Sequence, residues 1–203
     1  MSQLTFYVSS WLDQDAFLCF VALREKTLEF EVKAPAPEER ERAFAGRLPA
    51  VMHEGHWVSE GVAVAEYLAE TFPFPGSPRL FPAGLKQRAR CRQVMLWPRV
   101  ELAALRAERP AEAVLQARGF PPLSPAARAD AERLVKAVER ELPEGRTTLF
   151  DSWCVADADL GFTLERLLPD GLPERLRAYV EAQRARPSAQ EFLVRAKAAA
   201  SQG

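Results

Sequence analysis

Few residues of this chain have the type and spacing that chemistry needs. His53 and His56 form an H-x-x-H pair. They flank the turn Glu54-Gly55 and have no third ligand nearby, whereas zinc takes three or four ligands in a defined geometry. They read as exposed turn histidines. Cys19, Cys91 and Cys154 are odd in number, widely spaced and make no C-x-x-C pair, so they form no disulfide framework. Cys19 falls inside an apolar helical run and reads as core. Ser9, Ser10 and Asp13 put two hydroxyls and a carboxylate into one short segment. Arg88, Arg92 and Arg99 accompany Trp97 along a helical stretch. That set reads either as an aromatic wall with an anion contact or as a solvated basic face.

The elements that would carry these residues follow from pattern. Leu4 to Val8 has strand composition. A helical pattern runs from about Asp15 to Lys26, with Phe17, Phe20, Val21 and Leu23 near helical spacing. Leu28 to Val32 alternates apolar with acidic residues and reads as a second strand. The charged segment Pro37 to Phe44 reads as a short or irregular helix. Leu48 to Met52 and His56 to Val58 are short strands around a hairpin turn. A helix follows from Ser59 to Phe72, with Val64, Leu68 and Phe72 one face apart. This half is βαβ–ββα. The stretch Pro73 to Pro78 is a linker by composition, and beyond it the strands stop. Helices are predicted over Gly84 to Ala107, with a bend at Pro98, and from Ser124 to Leu142, with Ser124 as N-cap and Pro125 in the first turn. Three more follow: Val155 to Leu167, Pro173 to Ala185, and Ser188 to Ala199, where Ser188 and Glu191 have capping-box spacing.

The chain has 203 residues, 48% hydrophobic and 27% charged, which is globular composition and excludes disorder and low complexity. Its densest apolar run, Phe17 to Leu23, is seven residues long, far short of the ~18 that a membrane helix needs. No Lys or Arg precedes Arg24, so no secretory leader is predicted, and the cytoplasm is the expected compartment. The net charge of −1 gives no pull toward nucleic acid or acidic membranes. Residues 1–80 carry 7 Lys/Arg against 12 Asp/Glu, a net of −5, and the remainder carries +4. This shift supports a boundary near residue 80, with one domain over residues 1–76 and a second over 84–203.

Three segments give the chain a resemblance to a known family. Gly46-Arg-Leu-Pro-Ala-Val51 is followed after the hairpin by Val58-Ser-Glu-Gly61 and Ala65-Glu-Tyr-Leu68. Arg79-Leu-Phe-Pro82 follows the linker, and Trp153-Cys-Val-Ala-Asp157 opens a later helix. In order and spacing these resemble the cytosolic glutathione S-transferases, with the W-C-[IV]-A-D segment closest to one bacterial subgroup. The resemblance implies a thioredoxin-like α/β N-terminal domain that binds glutathione and an all-α C-terminal domain that lines the site of the electrophile.

Carried over residue by residue, the resemblance implies a cis bond before Pro49, turning the Leu48 N–H and C=O toward the cysteinyl backbone of glutathione. Glu60 and Gly61 stand at the family's E-S pair, where the γ-glutamyl end docks at a helix N-terminus. Gly61 keeps the N–H and lacks the hydroxyl; its replacement by Ser is expected to tighten binding. Asp13 stands where many relatives carry the catalytic serine. A carboxylate there opposes a thiolate, and the alternatives are an N-cap or a thiolate-facing group. Ser10 and Ser9 lie in the same loop as substitute donors, with Tyr7 a further one. Cys154 with Asp157 reads as a structural cap. The redoxin alternative fails because Asp13-Gln-Asp-Ala16 holds no thiol where a redoxin places its nucleophile.

The implied activity is attack of glutathione thiolate on a small hydrophobic electrophile or a peroxide, a detoxifying transfer. Glutathione is the co-substrate, no metal is expected, and the protein is expected to be a homodimer without nucleic-acid or membrane partners. The alternative is a transferase-like binding or interaction module that has lost thiolate activation.

Overall fold

The computed structural model describes residues 4–116 and 119–201. The chain groups into two compact units: residues 1–80 together with 191–203, and residues 81–190.

The first unit holds strands β1 (Leu4–Tyr7), β2 (Phe30–Lys33), β3 (Ala50–His53) and β4 (His56–Ser59), with helices α1 (Gln14–Glu25), α2 (Pro37–Arg42) and α3 (Gly61–Thr71). The sheet order is β2-β1-β3-β4, with β1 and β2 parallel and the other pairs antiparallel. The β3–β4 turn works because Glu54 and Gly55 both take positive φ, 51° and 83°, the geometry a two-residue hairpin requires. Strand alternation sends Phe6 into an aromatic cluster with Trp11, Phe20 and Phe30. Phe192 closes that cluster against Trp11, Phe17 and Phe20, which explains why the end of the chain belongs to this unit. Cys19 is fully buried. Lys26, also buried, donates from Nζ to the carbonyls of Phe72 and Pro78, and Ser77 Oγ donates to the Lys26 carbonyl at 2.7 Å. One lysine thus bolts the end of α1 to the chain that leaves α3.

The hairpin histidines differ from each other. His56 is exposed, but His53 is buried, its Nδ1 2.8 Å from the Tyr67 hydroxyl and its ring against Phe72. The turn itself is exposed; β3 register turns His53 inward, where α3 supplies a polar partner.

The second unit is helical: α4 (Leu85–Glu101), α5 (Ala103–Glu108), α6 (Ala111–Leu115), α7 (Pro125–Glu141), α8 (Val155–Glu165) and α9 (Glu174–Arg184), with α10 (Pro187–Ala200) continuing into the first unit. Ser188 therefore lies inside α10 and does not cap it. Pro98 stays within α4, and the interruption falls at Leu102. Side chains satisfy the backbone groups freed there. Asp130 Oδ2 accepts from Ala104 N and Leu105 N at 3.0 and 3.1 Å, Arg133 donates to the Glu101 carbonyl at 2.7 Å, and Arg106 donates to that of Arg99. Every residue of α8 is buried. Its start is a capping box in which Asp157 accepts from Cys154 N at 2.9 Å, and the same carboxylate takes Leu149 N and the Tyr179 hydroxyl. No helix among the described residues is long and apolar enough to cross a membrane.

Candidate functional site

The site residues named from sequence in the first unit lie beside the ends of β1, β3, β4, α1 and α3. The Leu48–Pro49 bond is cis. The strand ladder begins only at Ala50, paired with Tyr7 on one side and Ser59 on the other, so Leu48 stands just outside it. Ser59 Oγ donates to the Arg47 carbonyl at 3.0 Å, and Arg47 Nε pairs with Glu60 Oε1 at 3.0 Å. These two bonds clamp the residue before Leu48 onto the entrance of α3.

Glu60 is the N-cap of α3, with φ of 70°, and its side chain makes no capping hydrogen bond. A non-glycine residue at positive φ costs roughly 1–3 kcal/mol and persists where the surroundings enforce it. The result is a helix whose first N–H groups receive nothing from their own cap residue, the arrangement that attracts anions. Gly61 begins α3 in direct packing with α1. A β-carbon on it would lie 2.8 Å from Asp15 Oδ1 and 3.0–3.1 Å from Leu18 side-chain atoms. Gly61 is thus a close-approach residue: a serine there would turn the Asp15 carboxylate aside and press on the Leu18 side chain. Gly61→Ser therefore adds a packing change beside the hydroxyl it restores.

Asp13 caps α1. Its Oδ1 accepts from Ala16 N at 2.8 Å, and its backbone is extended as an N-cap requires. Burial, and then the nearby Asp15 charge, pushes its carboxyl up, while the cap bonds and Arg47 pull the other way. Ser9 and Ser10 are exposed, and Ser10 Oγ accepts from Leu12 N at 3.1 Å. Tyr7 is engaged elsewhere: its hydroxyl donates to Glu39 at 2.8 Å and its ring stacks on Trp57 at 4.4 Å. Strand alternation turns it away from Phe6 and the α1 face, which removes it as a substitute donor.

In the second unit the arginine set disperses. Arg99 forms a bidentate pair with buried Asp159 at 2.5 and 2.9 Å. Arg88 reaches the Pro82 carbonyl, and Arg92 lies over the Phe81 ring. Trp97 and Arg92 do share a wall, together with Val94, Leu96, Val100 and Ala137, in an open groove of about 580 Å³ along α4 and α7. Cys91 and Cys154 are both buried with sulfurs 3.8 Å apart. Their mutual hydrogen bond and burial hold the Cys154 thiol far above its ordinary range, which makes it a poor nucleophile. Among the described residues no group of three or more His, Cys, Asp or Glu is placed to hold a metal ion.

Sequence reasoning overlooked two residues of this site. Arg47 was visible as the cation before Leu48-Pro49. Asp15 stood only as the approximate start of the first helical pattern, and nothing in that pattern places it beside residue 61.

Comparison with known proteins fits this arrangement. Residues 84–198 match the family model described as the glutathione S-transferase C-terminal domain. A glutathione transferase homolog from Burkholderia gl BGR1, crystallised with bound glutathione, is 32% identical, with 97% of this chain and 100% of that one covered at a TM-score of 0.82. Rice GST1 in complex with glutathione shares the fold at 22% identity, covering 99% of this chain and 96% of its own at a TM-score of 0.73. Beta-etherase LigF from Sphingobium sp. strain SYK-6 shares it at 21%, covering 95% and 99% at 0.68. No curated protein sequence matches the chain. The chain belongs to the glutathione S-transferase family, with its thioredoxin-like α/β first domain and helical second domain.

Proposed function

We propose that the protein binds glutathione in its first unit and acts as a glutathione transferase. The observation that carries this reading is the Leu48 backbone just outside the ladder, with the residue before it clamped by Ser59 and Glu60 to the start of α3. The bound glutathione of the 32%-identical relative supports it. Leu48 offers one N–H and one C=O to the cysteinyl backbone of the ligand. Glu60 meets the γ-glutamyl ammonium, and the N–H of Gly61 meets the carboxylate. In the transfer, sulfur forms a bond to an electrophilic carbon or peroxide oxygen, the leaving group departs with the bonding pair, and the thiol proton goes to water. Ser10 and Ser9 are the hydroxyls left to stabilise the thiolate. Asp13 works against it, since a neighbouring negative charge raises a thiol pKa.

The capping role of Asp13 favours a second reading, a binding module of the same fold with little turnover. Calorimetry with glutathione and a turnover assay with an aryl halide and an organic hydroperoxide separate the two. Binding with turnover that Ser10→Ala removes supports the transferase. Binding without turnover supports the module, and no binding removes the site.

The exposed Leu96 and Val100 of the α4–α7 groove, and exposed Phe44, are apolar surface that a second copy would cover. We read the protein as a homodimer on that basis, with sedimentation as the test.

A further inference from the structure

The later turns of α10, from Glu191 onward, belong to the first unit. There they meet the loop that joins β1 to α1. That loop is pinned at its two ends: Val8 N donates to the Lys33 carbonyl at 3.0 Å, and Asp13 caps α1. Between these points its largest side chain, half-buried Trp11, reaches into the aromatic cluster. The Trp11 ring lies 6.0 Å from Phe6 of β1 and 5.7 Å from Phe20 of α1. On its other side is α10, with fully buried Phe192 at 5.5 Å and the Arg195 guanidinium 5.3 Å from the ring centroid, a cation–π distance. Phe192 and Arg195 are three residues apart, on one face of the helix. Glu191 secures that face: one carboxylate oxygen accepts from Arg195 at 3.2 Å and from Arg24, in the last turn of α1, at 2.6 Å. Ser10 precedes Trp11 directly. Its Oγ accepts from Leu12 N at 3.1 Å, which leaves the hydroxyl proton to donate elsewhere. The aim of that proton follows the seat of Trp11, and α10 supplies one side of the seat.

We propose that Phe192 and Arg195 are positioning residues for the transfer: acting through Trp11, they hold the hydroxyls of Ser10 and Ser9 at the thiolate. The inference rests on the glutathione transferase reading of this site and names what that reading leaves open, how two exposed serines keep a hydroxyl aimed at sulfur. The groups assigned to binding stand on other elements, Leu48 ahead of β3 and Glu60 and Gly61 at the start of α3. Loosening Trp11 therefore weakens the stabilisation of the thiolate and spares the binding of the peptide. A thiol that loses a hydrogen bond to its charged form ionises at higher pH.

The test compares the full-length wild type with Arg195→Ala, Phe192→Leu and Val194→Ala. Glutathione affinity is read by calorimetry, and turnover of an aryl halide at saturating glutathione is read across the pH range on both sides of neutrality. Val194 stands on the same helix, is 68% exposed and serves as the control. The Arg195 side chain is 39% exposed, so its variant keeps the test open if Phe192→Leu fails to fold. Arg195→Ala and Phe192→Leu are each expected to lower kcat about tenfold, since a displacement of about 1 Å at a reacting centre can cost ~100-fold. Both are expected to move the acid limb of the pH–rate profile upward and to leave the glutathione Kd unchanged, and Val194→Ala is expected to match the wild type. Variants that keep kcat and the limb, while Ser10→Ala loses turnover, overturn the positioning role and leave the transferase standing. Variants that lose affinity and kcat together with the limb in place show packing alone and overturn it equally. Turnover that survives both Ser9→Ala and Ser10→Ala takes the loop out of the chemistry, and the proposal with it. A wild type that binds glutathione without turnover, or does not bind it, brings down the transferase reading itself and this inference together.

Discussion

The two units use charge in opposite ways. In the second, buried charges are matched at short range. Arg99 holds Asp159, Arg109 holds Asp170 through paired bonds near 3.0 Å, and Asp157 gathers two backbone N–H groups and a tyrosine hydroxyl. In the first, Asp13, Asp15 and Glu60 collect at one end of the site around Arg47, whose side chain is 63% exposed. Matched charge inside the helical unit fixes architecture. The Arg47–Glu60 pair at the edge of the first unit keeps its charges within reach of a ligand.

The contrast is open to breakage at four places. Arg99→Ala would leave the Asp159 carboxylate buried without its guanidinium. Breaking such a pair costs about 3–5 kcal/mol, read as a large fall in the denaturant midpoint.

Glu165 tests the same unit by pH. It is 7% exposed, and burial pushes its carboxyl up to about 7 against the partial pull of Arg184 and Arg166. A carboxyl raised in the folded state binds its proton there while the unfolded chain has lost it. Stability therefore falls as pH rises from the ordinary carboxyl range through about 7 and stays reduced above. Glu165→Gln is expected to flatten that slope and to stabilise the protein above neutrality by up to ~3 kcal/mol, since each tenfold change in proton affinity between the folded and unfolded chain is worth about 1.36 kcal/mol. Thermal unfolding at a series of pH values checks it.

Gly61→Ala is expected to cost about 1–3 kcal/mol, the penalty of overpacking, because the added carbon meets Asp15 and Leu18. Equal stability of the two proteins in urea would show that α1 yields freely. Arg47→Ala, the smallest change, should cost under ~1 kcal/mol in stability, as exposed pairs do. It should nonetheless alter glutathione affinity, since it unclamps Glu60. The comparison sharpens if Arg47 moves binding and Arg99 moves only stability.

Much of this was legible in sequence because it depends on local rules. The β3–β4 hairpin follows from Glu54-Gly55, the start of α7 from Ser124-Pro125, and the capping box of α8 from the spacing of Cys154 and Asp157. Asp13 as a helix cap follows from its place before an apolar helical run. What sequence missed depends on contacts between elements. His53 is buried because Tyr67 of another element supplies its hydrogen bond. Helix α4 stops at Leu102, not Pro98, because Asp130 and Arg133, nearly thirty residues on, take up the freed backbone groups. Gly61 looked like a lost hydroxyl because nothing local shows that Asp15 and Leu18 press against it. The basic set on α4 scattered for the same reason: the partner of Arg99 lies on α8.

The most direct test of the account is a glutathione titration of isotopically labelled protein followed by amide resonances. The account predicts saturable changes at Leu48, Gly61 and Val62, the backbone groups before β3 and at the start of α3. Resonances there that stay still while glutathione moves others, or moves nothing at all, would contradict it.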